Sequence, residues 1–127
     1  MVRELAEQAK HASYALATLS SNQKNRALLA MADALANGSA RILSENAADL
    51  EAARASGKSE AFLDRLSLND RRIDGMAQGL TKVSSLPDPV GSADSVVLRP
   101  NGLTIEKRRV PLGVIGIIFE ARPNVTA

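Results

Sequence analysis

Two prolines one residue apart, in Leu86-Pro87-Asp88-Pro89-Val90-Gly91, split this chain into parts that cannot share one kind of structure. Proline has no backbone N–H and its ring crowds the preceding turn, so no helix runs through the stretch. Before it, apolar residues recur every three or four positions. After it, from Val96, they recur every two. The chain therefore reads as a run of helices followed by strands.

In the helical part, Leu5, Ala9, Ala12, Leu16 and Leu19 form the first apolar stripe. Ser20 with Gln23 has the form of a capping box that restarts the helix. The second helix carries Leu28, Met31 and Leu35 on one face and ends at Asn37-Gly38, where a left-handed glycine is expected. Ser39 opens a third, with Leu43, Ala47, Leu50 and Arg54 in register, closed by Gly57. A short helical turn is expected from Ser59 to Arg65. Ser67-Leu68-Asn69-Asp70 then has a capping pattern, and the helix it starts groups Ile73, Met76 or Ala77, Leu80 and Val83. Gly75 and Gly79 weaken that helix by about 1 kcal/mol each relative to alanine, and glycines four apart suggest the approach of another backbone.

In the second part, Val96-Val97-Leu98-Arg99 and Leu103-Thr104-Ile105-Glu106-Lys107 flank Pro100-Asn101-Gly102. Asn-Gly is a strong hairpin signal because both residues tolerate positive φ. Leu103, Ile105 and Lys107 fall on one face and Thr104, Glu106 and Arg108 on the other, which predicts a half-exposed hairpin. Gly113-Val114-Ile115-Gly116-Ile117-Ile118-Phe119 is apolar without alternation. That pattern suits a strand covered on both faces, as in a parallel sheet. A parallel neighbour needs a connection of a dozen or more residues, so the sequence reads as interrupted at the first strand of a larger α/β sheet.

Composition removes several classes of function. With no cysteine among 127 residues, disulfides, thiolate metal sites and a thiol nucleophile are excluded from the chain. One histidine, His11, makes no histidine-rich metal site, and no metal is expected. Residues 1–94 carry a net charge of −1 and residues 95–127 a net charge of +3, too little to argue for nucleic acid. Lys107-Arg108-Arg109 reads as a solvated strand, since aromatic stacking partners are absent. The start, Met1-Val2-Arg3-Glu4-Leu5, shows no signal peptide, and the longest apolar run is far too short for a membrane span. A cytoplasmic protein with no membrane partner is expected.

The informative segment runs from Arg109 through Pro111-Leu112-Gly113-Val114-Ile115-Gly116 to Phe119-Glu120-Ala121-Arg122-Pro123-Asn124-Val125-Thr126. Read from the residues, it is a strand emerging into a polar turn. In open α/β sheets ligands bind at such strand ends, and Arg122 is suited to a carboxylate or phosphate. An ordinary strand exit with solvated side chains fits the residues equally well. Gly113-x-x-Gly116 is not the dinucleotide fingerprint.

The segment closely resembles the signature of the gamma-glutamyl phosphate reductases, members of the aldehyde dehydrogenase superfamily. Asn46-Ala47-Ala48-Asp49-Leu50, Asp64-Arg65-Leu66-Ser67-Leu68 and the order of helices, hairpin and strand agree with it. The resemblance implies an α/β fold. Residues 1–85 would be the helical segment of a nucleotide-binding domain, and 86–95 a linker. Residues 96–110 would be an oligomerisation-type β-hairpin, and 111–127 the first buried strand and cofactor-side turn of an incomplete domain. It implies NADPH as cofactor, L-glutamyl 5-phosphate as small-molecule substrate, a role in proline biosynthesis and a homo-oligomer. The catalytic cysteine would lie beyond Ala127, so these residues alone are expected to be inactive. Phe119, Glu120, Ala121 and Arg122 match the turn that contacts the cofactor. Arg122 stands where many aldehyde dehydrogenases have an oxyanion-binding asparagine. Arg122 or Asn124 is then the candidate oxyanion or substrate contact. A self-associating, non-catalytic helical module is the alternative.

Overall fold

The computed structural model describes the whole chain, Met1 to Ala127. Five helices come first: α1 (Val2–Leu16), α2 (Ser21–Asn37), α3 (Ser39–Ala55), α4 (Glu60–Leu66) and α5 (Asp70–Ser84). The strands β1 (Ala93–Leu98) and β2 (Thr104–Arg108) follow, and a 3₁₀ turn, Pro123–Val125, lies near the C-terminus. No helix is long and apolar enough to cross a membrane. Two compact units result, one of Met1–Ser21 with Pro87–Gly116 and one of Asn22–Leu86 with Ile117–Ala127. The first helix thus groups with the hairpin, a division that local periodicity does not reveal.

The second unit holds the core. Ala32 of α2, Leu63 of α4, and Ile73 and Leu80 of α5 are buried. Ile73 is completely enclosed. On α2 the inward residue is Ala32, while Met31 is largely exposed. A small side chain there lets the helix come close, which a longer one would prevent. On α3 the inward stripe is Leu43, Asn46, Leu50 and Ala53, and Ala47 faces solvent. Asn46 is buried, and both ends of its amide are paired. Nδ2 donates to the Leu66 carbonyl at 2.9 Å, and Oδ1 accepts from the Leu68 N–H at 2.7 Å. The link between α4 and α5 is thereby tied to α3 through groups that would otherwise lose water without a partner.

Helix ends follow local chemistry, with two corrections. Gly57 has φ +73°, the left-handed state expected after α3. Ser59 caps α4, accepting from the Phe62 N–H at 3.3 Å. The cap of α5 is Asn69, not Ser67: its Oδ1 accepts from the Arg72 N–H at 2.8 Å. Ser67 instead closes α4, its N–H donating to Leu63 and its hydroxyl to Asp64. The guanidinium of Arg72 then locks the corner, with Nη1 donating to the carbonyls of Asp64 and Ser67 at 2.6 Å each and Nη2 to Asp64 Oδ1 at 3.1 Å. Asn69→Ala should lower the stability of this unit by about 1 kcal/mol, read as a shifted urea midpoint at unchanged slope. Gly38 is the second correction. Its φ is −87°, so it is not left-handed. A Cβ there would lie 3.0 Å from the Ala34 carbonyl oxygen, and this close approach is the reason for glycine at the one-residue joint between α2 and α3.

In the first unit β1 and β2 pair antiparallel, with Val97 opposite Ile105 and Leu98 opposite Thr104. An irregularity between Ala93 and Ser95 sets Asp94 apart, and its carboxylate takes the Arg109 Nε at 2.8 Å. Of the turn residues only Gly102 has positive φ, +83°. Asn101 contributes its side chain, which accepts from the Leu103 N–H at 3.1 Å. Glu106 and Arg108 share a strand face, and their hydrogen bond raises the guanidinium pKa. Both faces of the hairpin are exposed, in contrast to the half-exposed ribbon expected.

Residues 113–119 form no strand within this chain. They are neither buried nor paired: they are exposed, and Ile118 is entirely so. The physical reason is that the chain offers this segment no strand partner, and an apolar pattern records only what a segment requires. Gly113, at φ +90°, further separates it from the residues before it.

Candidate functional site

The polar turn expected to carry chemistry lies in the second unit. Phe119 and Glu120 are exposed, and Ala121 is half-buried. Ala121 has φ +49°, the only non-glycine residue in the left-handed region. For an L-residue that conformation costs roughly 1–2 kcal/mol. Such an outlier marks a turn held by its surroundings. One restraint is Glu120, whose carboxylate lies 3.9 Å from the Lys58 ammonium, which itself sits 4.9 Å from the Phe62 ring centre. The pair is exposed and worth little in energy. Pro123 opens the 3₁₀ turn, where its fixed φ suits the first position. The Val125 N–H closes the turn on the Arg122 carbonyl at 3.0 Å.

Arg122 and Asn124 come together at an open groove of about 720 Å³. Its floor is one side of α5, including Gly75, Met76, Gly79 and Leu80, and Arg72 lies at its rim. A Cβ on Gly75 or Gly79 would touch nothing within 4 Å, so no backbone approaches there in this chain. A second, more apolar hollow of about 470 Å³ adjoins it, lined by Met31, Leu35, Ile42 and Leu68 and sharing Pro123. Phe119, Glu120 and Ala121 line neither hollow. The six-residue turn thus separates into an outward part, 119–121, and a groove-facing part, Arg122 to Asn124.

Arg72 and Arg122 differ in availability. Arg72 is consumed by the α4–α5 corner. Arg122 makes no ion pair or side-chain hydrogen bond within the chain, so its charge is free to meet an anion at the groove. Asn124 adds an amide that can donate or accept. No three His, Asp or Glu side chains converge as a metal site. The glycines at the groove sit inside helix α5, where their N–H groups are already used, so they form no phosphate-cradling loop.

Asn46 and Arg72, which fix the corner beside the groove, were invisible to pattern reading. Most of their partners are backbone groups, distant in sequence or offset by irregular spacing.

Comparison with known proteins bears directly on this arrangement. No protein-family model matches the chain. It is 54% identical over 126 residues to the gamma-glutamyl phosphate reductase of Geotalea daltonii, covering 99% of this chain and 30% of that protein. It is likewise 54% identical over 125 residues to the enzyme of the same name from Carboxydothermus hydrogenoformans, again 30% of its length. Among solved structures, the gamma-glutamyl phosphate reductase of Thermotoga maritima superimposes with a TM-score of 0.93 at 42% identity, over 97% of this chain and 30% of that one. The Saccharomyces cerevisiae enzyme gives a TM-score of 0.88 at 33% identity, over 97% and 31%. The chain spans about 30% of the length of the curated relatives it matches. Along nearly its whole length, in sequence and in fold, it is a homologue of the N-terminal part of gamma-glutamyl phosphate reductase.

Proposed function

We propose that this chain serves as the N-terminal part of an NADPH-dependent reductase that converts L-glutamyl 5-phosphate to L-glutamate 5-semialdehyde with release of phosphate, in the cytoplasmic synthesis of proline. The observation that carries the reading is 54% identity over 99% of the chain to proteins of that name. In the reaction so implied, a cysteine thiolate attacks the acyl phosphate, the carbon–oxygen bond to phosphate breaks, and a thioester remains. When bound, NADPH would supply the hydride that reduces the thioester to the aldehyde, with the cysteine thiolate as the leaving group. The thiolate must come from outside these 127 residues, which contain no cysteine.

The share of this chain is positional and electrostatic. The free guanidinium of Arg122 holds an anionic group of the substrate, its phosphate or carboxylate. The Asn124 amide donates to the developing oxyanion. Residues 119–122 form one wall of the cofactor site. The doubly exposed hairpin favours contact with another protomer in a homo-oligomer.

The test is to assay the chain alone and fused to the rest of a gamma-glutamyl phosphate reductase relative. The fused protein should oxidise NADPH in a glutamyl-phosphate-dependent reaction, and the chain alone should not. In the fusion, Arg122→Ala should lower kcat/KM by about a hundredfold, as expected for loss of a charged contact to the reacting group. An active isolated chain, or an inactive well-folded fusion, would sink the proposal.

A further inference from the structure

The sequence holds two Asn-Gly pairs, Asn37-Gly38 and Asn101-Gly102. Glycine carries no Cβ to shield its backbone nitrogen, so that nitrogen can reach the side-chain carbonyl carbon of the asparagine before it. The two pairs are held differently. Asn37 is the last residue of α2. The Gly38 N–H donates to the Ala34 carbonyl at 3.0 Å, and the Gly38 carbonyl accepts from the Ile42 N–H at 3.0 Å. Gly38 is thus gripped from both sides by helical bonds. Turning its nitrogen onto Asn37 would unwind the joint between α2 and α3.

Asn101 sits at the exposed tip of the hairpin. The Gly102 N–H makes one turn bond, to the Arg99 carbonyl at 2.9 Å, and Pro100 has no N–H to add another. Breaking that bond leaves the strand ladder, from Leu98 opposite Thr104 onward, in place. Local openings at exposed turns lie at the low end of the stability range. The side chain is also set for reaction. Asn101 Oδ1 accepts from the Leu103 N–H at 3.1 Å, so the amide arches over the Gly102 peptide with its carbonyl polarised by a backbone donor. That donor stands where negative charge collects when the carbon is attacked.

We propose that Asn101 is a site of spontaneous deamidation and isoaspartate formation, and that Asn37 is not. The deprotonated Gly102 nitrogen attacks Asn101 Cγ and the N–Cγ bond forms. The Cγ–Nδ2 bond then breaks, and Nδ2 leaves as ammonia, the proton lost from Gly102 returning through solvent. Water opens the resulting succinimide at either carbonyl. Attack at Cγ gives aspartate. Attack at the main-chain carbonyl gives isoaspartate, whose backbone runs through Cβ and Cγ and is one carbon longer. Each product adds a negative charge in the more basic part of the chain. Isoaspartate also lengthens the connection that sets the register of β1 against β2.

The experiment ages the full 127-residue chain at mildly alkaline pH and maps it with trypsin and mass spectrometry. Trypsin spares the Arg99–Pro100 bond, so residues 27–41 and 83–107 emerge as peptides with one asparagine each. Peptide 83–107 should gain about 1 Da, as an amide becomes a carboxyl, and should become a substrate for isoaspartyl methylation. It should react at least about tenfold faster than 27–41, and in proportion to hydroxide concentration. Asn101→Gln, which would need a larger ring, should abolish the gain in 83–107, and Asn37→Gln should leave it unchanged. In urea the two peptides should react at similar rates, because the fold alone separates them. Equal rates in the folded chain, or a faster reaction at Asn37, overturn the proposal. So does a folded chain in which 83–107 is inert until urea is added, since the turn would then protect Asn101. A mass gain in 83–107 without isoaspartate also overturns it, because the amide would then be hydrolysed directly.

Discussion

Ile73→Ala should unfold much of the helical unit under conditions in which the parent chain is folded. Ile73 is fully enclosed, and only Ala32, Leu63 and Leu80 share the buried apolar core with it. Truncation removes the transfer energy of three carbons and leaves a cavity that neighbours fill only in part. The expected loss is about 2–5 kcal/mol. Small domains have only about 5–15 kcal/mol in hand, and a core this small places the unit near the lower end. Ile73→Val should cost roughly 0.5–1.5 kcal/mol, giving a graded series. Urea titrations followed by helical circular dichroism measure both, and an unchanged midpoint for the alanine variant would show that α5 does not anchor the unit.

Asn46→Ala is expected to rival it through a different mechanism. The substitution strands the Leu66 carbonyl and the Leu68 N–H, both paired only by this amide among the bonds that tie α4–α5 to α3. An unsatisfied buried polar group costs about 1–3 kcal/mol, and two are created together. Asn46→Asp restores the acceptor for Leu68 but turns an oxygen towards the Leu66 carbonyl, so it should not rescue. Alongside the stability loss, the Leu68 amide should exchange faster by hydrogen-exchange NMR. Leu68 protection that survives Asn46→Ala would mean the corner is held by Arg72 alone.

These two residues also show where sequence reading succeeded and where it stopped. Local geometry was legible. Gly57 was expected to end α3, and it does so with positive φ. Asn101-Gly102 marked the hairpin, although asparagine acts there through its side chain. The α5 cap was misassigned by two residues because Ser67 and Asn69 both have the chemistry for it, and only the packing of α4 against α3 decides which is free. Asn46 looked like one more polar residue on a helix, since its partners lie 20 and 22 residues away. At the candidate site, the sequence offers Arg122 or Asn124 as alternatives, and both line the same groove. Their separation from 119–121 depends on the left-handed turn at Ala121, for which alanine gives no signal. The run at 113–119 announced apolar faces correctly, but whether such faces are covered is a property of what surrounds them.

The joint at Gly38 has a consequence for how this region can vary. With one residue between them, α2 and α3 behave as a geared pair: the rotational phase of one fixes that of the other. Adding or deleting a residue there would turn α3 by about 100° about its own axis. Asn46 would swing away from Leu66 and Leu68, and an outward residue such as Ala47 would take its place. Variation in length should therefore accumulate at other connections in this unit, and the joint should tolerate substitution only by what leaves the Ala34 carbonyl undisturbed.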